Sequence, residues 1–129
     1  MNPMVTTEIG QLSSECNAWI SELRSLRQEL NSLKAQLVPM ARHQHNKDIL
    51  LEVEHLDNQF HIQLINIHDV KHSIKVHERK IELEKSMQQG HVTENTLQEH
   101  ENLFDDFEDL KNTIVQLKEE FREFAIQAV

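Results

Sequence analysis

Residues that make turns are scarce: 129 residues contain two glycines and two prolines. So small a supply leaves little material for hairpins, strand connections or a loop-built catalytic site. A single cysteine, Cys16, excludes a disulfide framework and fits a reducing compartment. No apolar run approaches the ~20 residues that span a bilayer, so no membrane partner is expected. The first 20 residues combine neither a basic n-region nor an apolar h-region, so no secretory signal is expected either. A cytoplasmic location is the resulting expectation. Positive charge is also short, with 13 Lys and Arg against 22 Asp and Glu for a net charge of -9. That balance repels phosphate backbones, and no stretch of sequence is a pure basic patch, so nucleic acid is not an expected partner. Missing as well are a glycine-rich phosphate loop and a strand-turn-helix elbow for a nucleophile. The chain reads as non-enzymatic and as needing no cofactor.

What is present is helical periodicity. Ile9, Leu12, Cys16, Trp19, Leu23, Leu26, Leu30, Leu33 and Leu37 recur at alternating steps of three and four residues, the a/d seam of a coiled coil. Thr7 is the expected cap and Pro39 the expected stop, which puts the first helix at about 7–38 with residues 1–6 frayed. A second seam runs Ile49, Val53, Leu56, Phe60, Gln63, Ile67, Val70, Ile74, His77 and Ile81, in a helix spanning about 46–89 from Asn46 to a Gly90 stop. A third comprises Leu103, Phe107, Leu110, Ile114, Leu117, Phe121, Phe124 and Ala128 in a helix at about 94–127, capped by Thr93 or Thr96. Short connections make consecutive helices antiparallel neighbours. The expected fold is all-α: one domain over 1–129, an up-down-up three-helix bundle with coiled-coil-like seams. A turn near Arg42 would set Leu30 beside Leu56 and bring Arg24 and Arg27 near Glu52, Glu54 and Asp57. A turn at Gly90 would set Phe60 near Phe124, His77 near Asp105 and Asp106, and Lys71, Lys75, Arg79 and Lys80 along the acidic start of the third helix.

Trp19-x-x-Glu22-Leu23, then Val53-Glu54-His55-Leu56-Asp57-Asn58-Gln59-Phe60, then Val70-Lys71-His72-x-Ile74 and His77-Glu78 resemble a group of short uncharacterised bacterial coiled-coil proteins. The likeness covers residues 15–85 and implies no activity. The architecture is similar to a spectrin-type repeat with a Trp part-way along its first helix, a likeness of shape that carries no function.

Histidine is the unusual ingredient, with seven of the nine between His43 and His77. His61, His68 and His72 share one flank of the second helix, and His68 and His72, at i and i+4, suit chelation of one divalent ion. They are the candidate metal ligands. Glu52-x-x-His55 matches half of a ferritin-type di-iron motif, but the pattern occurs once and faces away from the core. His68-x-x-x-His72 and His100-x-x-x-x-Asp105 match two haemerythrin spacings, a family that needs a fourth helix and more inward ligands. Gln63 and His77 interrupt the seam, as polar residues that pin register in coiled coils do. His100 is expected at an exposed end layer near Glu84, and Cys16 is expected to be inert. Finally, Leu51, Ile62, Ile65, Val76 and Leu83 form a second apolar stripe on the far side of the second helix, with Ile20, Leu97, Phe104, Val115 and Ile126 as smaller flanks. Apolar stripes left outside a bundle suggest a partner surface. The expected function is a protein-protein interaction or scaffold module, with a homodimer or a partner helix covering the stripe. A His-rich metal-binding bundle is the alternative.

Overall fold

The structure, a computed structural model, describes residues 3–87 and 90–128, with side chains from Ile9 onward. Three helices follow one another: α1 (Pro3–Arg42), α2 (Lys47–Met87) and α3 (Glu94–Gln127). No strand occurs among the described residues. Each helix packs its seam inward, and the core takes in Leu23, Leu30, Leu56, Phe60, Ile67, Ile74, Phe107 and Ile114. Burying each large apolar side chain contributes roughly 1.5–3 kcal/mol, so the seams carry the stability of the bundle. The Cα traces of α1 and α3 approach less closely than those of the sequential pairs. Long side chains fill that wider gap: Trp19 reaches Phe107, with ring centroids 6.0 Å apart.

Polar side chains fix the turns. Asn46 Oδ1 accepts from the Asp48 and Ile49 amides at 2.9 and 3.4 Å, capping α2 as its sequence indicates. Gly90 adopts φ 90°, where only glycine avoids a Cβ penalty, and its amide closes on the Lys85 carbonyl at 2.9 Å. Thr93 caps α3, accepting from the Thr96 amide at 3.2 Å. Glu84 clasps this cap from α2, accepting from the Thr93 amide at 2.7 Å and from the Thr96 hydroxyl at 2.5 Å. Burial alone would raise the Glu84 pKa. The bonds from Thr96 and Thr93, with Lys80 nearby, outweigh burial and hold it below the usual carboxylate value.

Several sequence expectations need correction. α1 begins at Pro3, not Thr7, because proline suits a first turn whose amide has no partner anyway. Residues 88 and 89 of the expected second helix lie outside the described residues. At its other end α1 runs through Pro39 to Arg42. An interior proline costs about 3 kcal/mol, but here it sits in the last turn and leaves Met40 and Ala41 packed on the core. The later turn slides α2 along α1 by roughly one and a half helical turns from the expected register. Asp57 consequently meets Lys34, at 2.8 Å, and not Arg24 or Arg27. Across α2 and α3 the slip is smaller: Phe60 pairs with Phe121 at 5.7 Å between centroids, not with Phe124. Ile20, expected on an exposed flank, is buried in the core.

Candidate functional site

Two places collect polar side chains, one inside the bundle and one on its surface. The inner one lies where α1, α2 and α3 meet at one height. Cys16, fully buried, belongs to the seam of α1; His77 and His100, 3% and 5% exposed, belong to the seams of α2 and α3. His100 is thus a core residue and not an exposed end-layer one. The seam of α3 starts about two turns earlier than its apolar residues indicate, since Thr96 and His100 are buried ahead of Leu103 and Phe107.

The two imidazoles meet through His77 Nε2 and His100 Nδ1 at 3.0 Å. His100 Nδ1 also lies 4.0 Å from Cys16 Sγ. One donor atom from each of the three side chains falls within 4.8 Å of the others. Carboxylates stand behind them. Glu15 Oε2 accepts from His100 Nε2 at 3.0 Å, and Glu99 Oε2 lies 3.7 Å from His77 Nδ1, where His77 was expected to face Asp105 and Asp106. Glu99 in turn accepts from Lys80 at 2.8 Å. Trp19 covers the cluster from α1, its ring centroid 4.7 Å from that of His100. Two buried atoms here have no hydrogen-bond partner, His77 Nδ1 and Glu78 Oε1.

Protonation follows from this setting. Burial, with the charges of Glu78 and Glu15, pushes the Cys16 thiol up to about 12, so by itself it stays protonated and unreactive. Burial also lowers the His77 pKa, reinforced by His100 and opposed by the Glu99 carboxylate. Burial therefore keeps the Cys16 thiol protonated and favours neutral His77.

The outer place is a groove between α1 and α2. Leu23, Leu64, Ile65 and Ile67 supply its apolar lining, and Arg24, Arg27, His61, His68, Lys71 and Asn31 its polar lining. No carboxylate lines it among the described residues. Partial burial and the charges of Lys75, Arg24 and Arg27 pull the Lys71 pKa below its usual value. The basic patch that no segment supplies alone is thus assembled from two helices brought together by the register. Lys80 does reach the acidic start of α3, whereas Lys71 faces this groove.

The candidate metal ligands divide accordingly. His61 and His68 line the groove and His72 is exposed beyond it. Two groups of three donor side chains converge among the described residues, Cys16–His77–His100 and Glu52–His55–Glu120, and neither uses His61, His68 or His72. Glu52-x-x-His55, isolated in the sequence, gains Glu120 from α3, whose Oε1 lies 3.2 Å from His55 Nε2. The stripe Leu51, Ile62, Ile65, Val76 and Leu83 is exposed, as are Phe104, Val115 and Ile126, while Leu97 is partly buried. Among the described residues no helix is long and apolar enough to cross a membrane. No protein-family model, curated protein or solved structure matches the chain.

Proposed function

We propose that the chain is a non-enzymatic helical interaction module whose α1/α2 groove receives an acidic amphipathic helix. The observation that carries this reading is the groove itself: Arg24, Arg27 and Lys71 with an apolar lining, on a chain of net charge -9. Burial first, and then the charges of Lys75, Arg24 and Arg27, hold the Lys71 pKa down, and an incoming carboxylate would oppose that shift. Ile65, exposed in the groove lining, and exposed Ile62 one turn before it on α2 supply apolar anchor points of the kind that helix-in-groove recognition uses. The same positive charges oppose a divalent cation at His61, His68 and His72, so those histidines serve better as part of an anion-attracting surface.

A symmetric dimer along α2 is the competing way to cover the stripe. It would bring Lys71 and Lys75 of each copy towards their mates, a like-charge cost that an acidic partner lacks. The test uses a designed amphipathic peptide with Glu on one face and Leu on the other, titrated into the full chain at low salt. Perturbed NMR signals at Arg24, Arg27, His61, His68 and Lys71, and at least tenfold weaker binding by Arg24→Glu with Arg27→Glu, are expected. Binding indifferent to that charge reversal, or none at millimolar peptide, overturns the reading. So does a dimer by light scattering that Ile62→Glu with Ile65→Glu converts to folded monomers, since a second copy would then occupy the surface.

A further inference from the structure

The hydrogen bonds of the buried cluster cannot all be satisfied while both histidines are neutral. A carboxylate accepts only, so Glu15 requires the proton of His100 to sit on Nε2. His100 Nδ1 is then a lone pair, and His77 must donate to it from Nε2. That leaves His77 Nδ1 bare and buried, with Glu99 Oε2 3.7 Å away, one acceptor facing another. Moving the His77 proton to Nδ1 turns it towards Glu99 but leaves two lone pairs 3.0 Å apart. Each neutral arrangement contains one mismatch.

A cation between the inner nitrogens removes it, either a proton or a metal ion, and of the two only a metal ion would also bind Cys16 Sγ, 4.0 Å from His100 Nδ1. Both outer nitrogens then donate to carboxylates, the arrangement that commonly orients metal-bound histidine. Both inner nitrogens present lone pairs, and Cys16 Sγ stands beside them. We propose that Cys16, His77 and His100 form an interior binding site for a thiophilic divalent ion of the zinc type, held by Sγ, Nε2 and Nδ1. Tetrahedral zinc wants about 3.3 Å between two ligand nitrogens and about 3.6 Å from sulfur to nitrogen. The observed 3.0 and 4.0 Å are a few tenths of an ångström from those values, within reach of side-chain rotation. Glu78, next to His77 in α2, has a buried Oε1 without a partner.

Charge fits the same reading. Two neutral imidazoles and one thiolate leave a divalent ion with one positive charge, and Glu15, Glu78 and Glu99 surround it. Those carboxylates disfavour a free thiolate and favour a cation, so binding expels the thiol proton to solvent and forms the metal–sulfur bond in its place. The surface group Glu52–His55–Glu120 is a weaker rival, since it is largely exposed and His55 is already paired with Glu120.

The experiment uses the full chain, purified without a histidine tag and kept reduced, titrated with Co²⁺ and then with Zn²⁺. One cobalt per chain should give thiolate-to-metal charge-transfer absorption and intense tetrahedral ligand-field bands, both lost as zinc displaces it. Cys16→Ala should abolish the charge-transfer band and weaken zinc binding at least tenfold, and His100→Gln should weaken it comparably. His68→Ala with His72→Ala, and His55→Ala, should leave both unchanged. If His100→Gln fails to fold, Cys16→Ala, checked for native helicity, carries the decision alone. Saturating cobalt without a thiolate band, zinc affinity unchanged by Cys16→Ala, or affinity lost with the surface histidines overturns the proposal.

Discussion

Gln63 and His77 present the same signal in the sequence, a polar residue in an apolar seam of one helix, and the bundle treats them differently. Gln63 is satisfied locally: its Oε1 accepts from Asn66 of the same helix at 3.3 Å, beside a groove lined by Asp69, Asp106 and Asp109. His77 meets side chains of α3 directly and those of α1 through His100, inside a layer that also includes Cys16, Glu15 and Glu99. A polar seam residue with a partner one turn away can be replaced without disturbing its neighbours. One whose partners come from other helices cannot.

The comparison breaks most readily at His77. His77→Ala should cost about 3 kcal/mol, combining a core cavity with an orphaned His100 Nδ1, read by urea unfolding of the metal-free chain. A loss below 1 kcal/mol would place His77 in the same class as Gln63.

Acid should come next in size. Because the folded pKa of His77 is depressed, the unfolded chain takes up a proton near the usual value of 6.5 while the folded chain resists. Stability from this group is therefore complete above that value and is lost as pH falls below it, until the depressed folded pKa is passed. His77→Gln should flatten this dependence, measured as melting temperature against pH, whereas Gln63→Leu should leave it in place. Trp19, the only tryptophan and in contact with His100, gives a fluorescence reading of the same titration.

Gln63→Leu itself should have the smallest effect, raising stability by about 1 kcal/mol or less, since a buried amide is replaced by an apolar side chain of similar volume. Hydrogen exchange along α2 should show whether helix register loosens as stability rises. A loss of more than 2 kcal/mol would mean that Gln63, like His77, satisfies something across the bundle.

What the sequence made legible was whatever depends on one helix alone. The three seams, the Asn46 cap, the Gly90 stop and the outward stripe from Leu51 to Leu83 follow from spacing and local chemistry. What depends on how the helices slide was not legible, and the error has one main source. Pro39 carries the usual mark of a helix stop, yet burial of Met40 and Ala41 favours a further turn. Moving that boundary displaced Arg24 and Arg27 from the carboxylates they were expected to meet and set them beside His61, His68 and Lys71. The inner cluster was hidden for a related reason. Cys16 and His77 were each visible as seam positions, but only a fixed height along all three helices puts them together. His100 carried a usable signal, lying one seven-residue repeat ahead of Phe107, although its polarity argued for an exposed end.

The short turn at residues 43–46 therefore acts as a gauge for the whole molecule. A heptad seam is nearly indifferent to a slide of seven residues, because apolar side chains would again meet apolar side chains. The layer of Cys16, His77 and His100 has no such periodicity and exists at one setting only. Lengthening or shortening the chain at that turn would leave apolar seams in contact but part Cys16 from the pair His77 and His100. In a molecule built largely of repeating apolar layers, a layer drawn from three helices marks one height as different from its neighbours.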